Sequence, residues 1–168
     1  MITLSAALSR HPVVLGDGYP YGGPMGYTDA PDGWWREFIA ATPPRTAKLA
    51  VVRKDGAPHV SPVWVDLDGS TVVFTTHLDS VKGRALLRDG RLSLCLDDEN
   101  PPFHFVTISG RAEIVDDPEQ VRYWAGRIGG RYMGAARANE YAERNGVPNE
   151  VVVRVREPKI VAKVAIAD

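Results

Sequence analysis

From Ala47 to Leu96 the chain repeats one pattern, in which short runs of Val, Leu and Thr with period-two alternation are separated by turn-forming residues, with Gly56, Gly69 and Gly90 among them. Such a pattern commits a chain to antiparallel strands joined by tight connections. Leu49-Ala50-Val51-Val52 runs into Lys54-Asp55-Gly56-Ala57, and Pro58 to Val65 alternates again, which predicts a β-hairpin. The Asp66-Leu67-Asp68-Gly69-Ser70 turn leads into Thr71–Thr76 and predicts a third consecutive strand of a meander. Arg91–Leu96 reads as a fourth strand and Phe103–Val115 as a long fifth, with Gly110 a candidate bulge; Glu150–Arg156 and Lys159–Ala165 supply two more.

Helical signals interrupt this pattern at few points. Asp32 is placed to cap a short helix over 34–40 that carries Trp34, Trp35, Phe38 and Ile39 near one face. Asp79 or Ser80 can cap a helix from Val81 to Leu87, closed by Asp89-Gly90. Asp117-Pro118 opens a helix of roughly a dozen residues with Val121, Trp124, Ala125 and Ile128 on one stripe. A further helix over 134–145 ends at Gly146-Val147-Pro148. Six to seven strands with a few peripheral helices argue an α+β domain built on a closed or nearly closed antiparallel barrel. Leu49, Val51, Val63, Val65, Val73, Leu94, Val106 and Ile108 are its expected core.

A length of 168 residues suits one such domain, expected over 32–168. It is preceded by an arm, residues 1–31, rich in Gly, Pro and Tyr and opposed to regular structure. The Gly-x-Gly in that arm lacks a flanking strand and helix, so it reads poorly as a dinucleotide loop. A formal net charge of -1 gives no sign of nucleic acid or an anionic membrane as partner. The single cysteine, Cys95, excludes an internal disulfide and suits a reducing cytoplasm; in its apolar strand it reads as a buried small hydrophobe. The first residues read poorly as a secretory signal, and no run approaches the roughly 18 apolar residues of a membrane span.

The segment Thr75 to Arg84 is the main candidate for chemistry. It offers hydroxyls at Thr75, Thr76 and Ser80, cations at Lys82 and Arg84, and the free amides of a helix start, together an anion cradle suited to phosphate. The same residues would also serve as plain capping with a solvated basic face. No histidine pair has metal-ligand helix spacing and no Gly-x-Ser-x-Gly elbow is present, so neither a metal site nor a serine hydrolase is expected.

The runs Ala50-Val51-Val52-Arg53-Lys54-Asp55-Gly56-Ala57-Pro58-His59-Val60-Ser61-Pro62-Val63-Trp64 and Val72 to Leu94 resemble the pyridoxamine 5′-phosphate oxidase-like split β-barrel superfamily, and within it the flavin or deazaflavin (coenzyme F-420) oxidoreductase branch. The resemblance implies a split barrel, a homodimer, and a cofactor at each of two sites in the interface. It also implies that the strand of Val60, Ser61, Pro62, Val63 and Trp64 runs along the cofactor ring, largely through backbone groups. Thr75 and Thr76 match cofactor-contacting positions, and Ser80, Lys82 and Arg84 match the Ser-x-Lys-x-Arg set that holds its phosphate. The chain departs from the pattern at Ala85 and Gly90, where relatives commonly carry Asn and Pro, and at Val60, where the oxidase carries an arginine. Oxidation of pyridoxamine phosphate is therefore not expected.

The function implied is that of an oxidoreductase passing a hydride from F-420 to a small electron-poor substrate. The alternatives are FMN as cofactor, or a non-enzymatic flavin, deazaflavin or haem-binding storage or sensing protein. The cofactor supplies the reactive hydride, so no catalytic side chain is assigned; His77 or bulk water would protonate a product. Trp64 serves either beside the ring or as an ordinary wall aromatic. His59 is expected to be exposed, and His104 to face the barrel or the site. Arg127, Arg131, Arg137 and Arg144, with Tyr132, Met133 and Tyr141, read as a solvated helical face, or as contacts for an acidic substrate or oligoglutamate tail if the late helices overhang the pocket.

Overall fold

Strands β2 (Ala47–Val52) and β3 (Pro58–Val63) pair in the computed structural model, which describes residues 28–167, in the register Ala47↔Val63 to Val52↔Pro58. Gly56, at φ +82°, allows the three-residue connection: Gly56 N donates to Arg53 O at 3.0 Å and Arg53 N to Ala57 O at 2.9 Å. That last bond fixes 57, 59, 61 and 63 as the residues bonded to β2, which turns Pro58, Val60 and Pro62 to the free side of β3. Proline has no N–H to offer a further strand, so β3 is an edge.

The meander ends there. A three-residue strand β4 (Asp66–Asp68) follows, and it rather than β3 pairs with β5 (Thr71–His77). The other neighbour of β5 is β8 (Glu150–Val164). Val72, Val73 and Phe74 on β5 and Val151, Val152 and Val153 on β8 are all buried, so both strands are apolar on both faces and belong in the sheet interior. With β6 (Arg91–Asp97) and β7 (Phe105–Val115) the path is β3-β2-β6-β7-β8-β5-β4, and β1 (Thr28–Asp29) lies on β8 opposite Val164 and Lys163. These eight antiparallel strands with peripheral helices make an α+β split barrel. The arm expected over 1–31 lies, as far as residue 27, outside the described residues.

The two strands expected after residue 150 are one. β7 and β8 pair throughout, with a register shift between Ser109↔Lys159 and Arg111↔Arg156. Gly110 stands at that irregularity, as expected, but the extra residue is on β8, where Glu157 takes φ +49°. A Cβ on Gly110 would lie 2.6 Å from the Arg156 carbonyl oxygen, which explains the glycine. Phe103, at φ +56°, belongs to the preceding turn, so β7 starts two residues later than its sequence suggests.

The barrel core holds Leu49, Val51, Val63, Val65, Leu94, Val106 and Ile108 as expected, but not Val73. Val73 points to the outer face and packs with Val152 under α3 (Pro118–Met133), against Val121, Trp124 and Ile128. Helix α1 (Trp34–Ala40) buries Phe38 and Ile39 and lays Trp34 and Trp35 against the barrel core. Its N-cap is Gly33 at φ +80°, not Asp32, because Trp34 N donates to Pro31 O and closes a turn first. Asp117 caps α3, accepting from Glu119 N at 2.9 Å and Gln120 N at 3.3 Å. The stretch expected as one helix over 134–145 is a 3-10 turn (Ala135–Arg137) followed by α4 (Ala138–Asn145). Cys95 is half-buried rather than buried, since it alternates with Leu94 and Leu96 and faces outward. Among the described residues no helix is long and apolar enough to cross a membrane.

Candidate functional site

The free edge of β3 and the end of β5 face one another across the split, and the connection from β5 to α2 (Val81–Arg88) closes one end of the gap. A cleft of about 410 Å³ lies there. Pro62 and Val63 of β3 line it with Trp64 just beyond; Thr75, Thr76 and His77 line it from β5; Ser80 and Lys82 from the start of α2. Ala125, Ile128 and Gly129 of α3, Asn145 of α4, Glu150 of β8 and Thr46 complete the wall.

The helix start is built tightly. Ser80, rather than Asp79, is the N-cap, its Oγ accepting from Gly83 N at 3.0 Å and lying 3.3 Å from Thr76 Oγ1. Leu78 N donates to Asn149 O at 2.8 Å and Ser80 N to His77 O at 3.1 Å, which holds the turn against the start of β8. Gly83 is buried against that turn. A Cβ there would overlap the His77 carbonyl oxygen and stand 2.8 Å from the Leu78 Cα and carbonyl oxygen. The first amides of α2 can therefore approach the β5 hydroxyls only because residue 83 has no side chain.

Seven of the residues the sequence points to, Pro62, Val63, Trp64, Thr75, Thr76, Ser80 and Lys82, meet in this cleft. Val60, Ser61 and Arg84 do not line it. Val60 is exposed on the free edge of β3, and the Ser61 hydroxyl is buried without a hydrogen-bond partner. Arg84 donates to the Asp79 carbonyl and lines a different cleft with Arg53, Lys54, His59, Val81 and Arg88. Two residues along a helix is a rotation of about 200°, so Lys82 and Arg84 cannot share a face. His59 is half-buried there rather than exposed.

Trp64 stacks on Tyr132, with centroids 4.9 Å apart and planes 6° from parallel, and tilts against Tyr141 at 5.7 Å. One face of its indole thus belongs to the α3–α4 layer. The Tyr132 hydroxyl donates to Arg45 O at 2.7 Å and accepts from Val65 N at 3.1 Å; burial pushes its pKa up. The late arginines point elsewhere although α3 and α4 do line the cleft. Arg127 Nε donates to Asp66 Oδ2 at 2.7 Å and Arg131 Nη1 to Asp66 Oδ1 at 3.4 Å; Arg131 also caps the carbonyls of Ile39, Ala40 and Ala41 at the end of α1. Arg137 pairs with Glu140, and Arg144 lies over the Tyr141 ring.

His77 makes a local bond, its Nδ1 accepting from Asp79 N at 3.3 Å. His104 serves α1: it packs edge-on to Trp34 and Phe38, and its Nδ1 accepts from Ala165 N at 3.1 Å. Glu150, which sequence reasoning passed over, pairs opposite His77 and brings a carboxyl into the cleft. Burial raises its pKa, opposed by a hydrogen bond from Thr75 and by the charges of His77 and Lys82. The arrangement provides hydroxyl and amide donors with one ammonium at one end and an apolar wall of Val63, Ile128 and the Trp64 indole beside it, in a volume within the range of ordinary small-molecule sites.

The pyridoxamine 5′-phosphate oxidase family model matches residues 35–160. A pyridoxine/pyridoxamine 5′-phosphate oxidase of Rhizobium etli is 33% identical over 111 residues, which cover 61% of this chain and 50% of that protein. The chain spans about half the length of the curated relatives it matches. Among solved structures, a conserved hypothetical protein from Mycobacterium tuberculosis superposes with a TM-score of 0.66 at 25% identity, covering 80% of this chain and 86% of that one. An F420 reductase superposes with a TM-score of 0.54 at 27% identity, covering 70% and 89%.

Proposed function

The chain belongs to the pyridoxamine 5′-phosphate oxidase family, and from that premise we propose that it is an oxidoreductase holding coenzyme F-420 in the cleft between β3, β5 and α2 and transferring a hydride to a small electron-poor organic substrate. The observation that carries this reading is the junction of Thr75, Thr76, Ser80 and Lys82 at the first turn of α2, next to an apolar wall. The donors of that turn suit a phosphate, and the wall suits a flat ring. A deazaflavin is favoured over FMN by the coverage of the F420 reductase, 89% of whose length this chain spans, against half of the oxidases. FMN is the second reading, favoured by those oxidases at 33% identity.

In this reading the bound cofactor supplies the hydride. Lys82 and the α2 amides fix the phosphate end; Val63, Trp64 and Ile128 hold the ring position and keep water out. The product proton comes from His77 or solvent. We place the protein in the cytoplasm as a homodimer with the cofactor at the interface. Support for the dimer lies in the open β3 edge, the 60% exposed Val60 and the apolar groove formed by Ala50, Val51, Val52, Pro58 and Leu92 beside it. Sedimentation of the full chain should give twice the monomer mass; a monomer at micromolar concentration overturns the interface.

Lys82→Ala should weaken binding of F-420, measured by fluorescence quenching, by about 1.5–3 kcal/mol, the usual worth of a charge-assisted hydrogen bond. Unchanged affinity removes Lys82 from the phosphate site. Titrating the wild type with F-420 and FMN side by side decides between the two readings, and binding of neither would overturn both.

A further inference from the structure

Of the described residues lining the cleft, Lys82 is the one Lys or Arg and Glu150 the one Asp or Glu. The second cation that the Ser-x-Lys-x-Arg pattern promised is on the other side of α2. The Lys, Arg, Asp and Glu side chains of this chain therefore bring one ammonium and one half-buried carboxyl to the cradle, which sum to zero with Glu150 ionised and to one positive unit with Glu150 protonated. A phosphate monoester carries about 1.5 to 2 negative charges near pH 7, a phosphodiester one. A diester is balanced by Lys82 once Glu150 holds a proton. A monoester dianion leaves an excess negative charge in a partly desolvated site, facing the carboxyl.

We propose that Glu150 is a specificity-determining residue that matches the cleft to a cofactor whose phosphate is a diester with a tail continuing beyond it, as in F-420, and against one ending in a phosphate monoester, as in FMN. This rests on the proposed cofactor binding and deepens it.

The groups facing Glu150 are Thr75 and His77 from β5, Lys82 from α2 and Asn145 from α4; on its other side it shares a cleft with Asp116, Asn149 and Val121. Asp79 reaches His77 Nδ1 at 3.8 Å. The lifted carboxyl pKa agrees with this setting. A bound anion lifts it further, so binding takes up protons and affinity falls as pH rises, more steeply for the monoester. His77 shares the cleft, and its replacement separates its contribution from that of Glu150.

The test titrates the full chain, wild type and Glu150→Gln, with FMN, F-420 and riboflavin at pH 8.5, by fluorescence quenching. Because a dianionic phosphate group feels twice the repulsion of a monoanionic one at the same place, Glu150→Gln should tighten FMN about tenfold and F-420 about threefold. Riboflavin, with no phosphate, should not change. His77→Asn should leave the FMN to F-420 ratio as in the wild type. Equal gains for FMN and F-420, a riboflavin change as large as that for FMN, or weaker binding of all three overturns the role of Glu150 while leaving the cofactor reading intact. Wild type that binds neither phosphate-bearing cofactor overturns the cofactor reading and this inference with it.

Discussion

Gly83→Ala is expected to lower stability and abolish cofactor binding together, although alanine is the better helix former. In an open helix the exchange gains about 1 kcal/mol. Here the new methyl would meet the His77 carbonyl oxygen and the Leu78 backbone, and backbone atoms cannot rotate aside as a side chain would. Relief requires the first turn of α2 to back away from β5, which separates Ser80 from Thr76 and moves Lys82 out of the cleft. A loss of about 3 kcal/mol is expected against the propensity gain, at the upper end of overpacking costs. Thermal melts and an F-420 titration check it. A melt at or above that of the wild type would show that the turn is not pressed against the helix.

Asp66→Ala should have a comparable effect on stability, away from the cleft. The Asp66 side chain is 7% exposed, and its carboxylate takes Arg127 and Arg131 from α3 as well as Leu67 N at 2.8 Å. Arg131, its side chain 17% exposed, would be left with carbonyls alone and with an Nε that has no partner even now. Breaking a buried pair by removing one partner usually costs about 3 to 5 kcal/mol; the half-exposed Arg127 places this case near 3. The melting temperature should fall by about 10 °C for a domain of this size. Glu113→Ala breaks the exposed pair with Arg156 and should barely move the melt. Equal effects of the two substitutions would show that burial of Asp66 adds nothing.

Sequence rules found what is local. The β2–β3 hairpin, the Ser80 and Asp117 caps and the alternation of the barrel core follow from turn chemistry, side-chain oxygens and period-two burial, all read within a few residues. One wall of the candidate cleft was legible for the same reason, since Thr75 to Lys82 is one continuous segment. Partners distant in sequence were not legible. Nothing near Thr71–His77 announces that its neighbour is Glu150–Val164, and the wrong meander comes from extending turn logic past a connection that leaves the edge. Val73 was misassigned because a strand covered on both faces has no alternation to read. Glu150 opens a strand and reads as a solvent-facing acid until β8 sets it opposite His77. The separation of Arg84 from Lys82 was available in helix geometry alone.

β8 pairs with β7 along almost its whole length, with β5 through its first third, and with β1 near its end. As the ribosome delivers the chain, β2, β3, β6 and β7 can pair before this strand appears, whereas β5 and its partner β4 wait for it to join them to the sheet. Until residues 150–164 emerge, β5 has only the three residues of β4 for a partner, and the cleft lacks the turn contact between Leu78 and Asn149. A topology closed by its last strand folds slowly and all at once. Capacity to bind the cofactor should therefore appear in the same kinetic phase as the burial of Phe74, and a nascent chain stopped before β8 should hold neither.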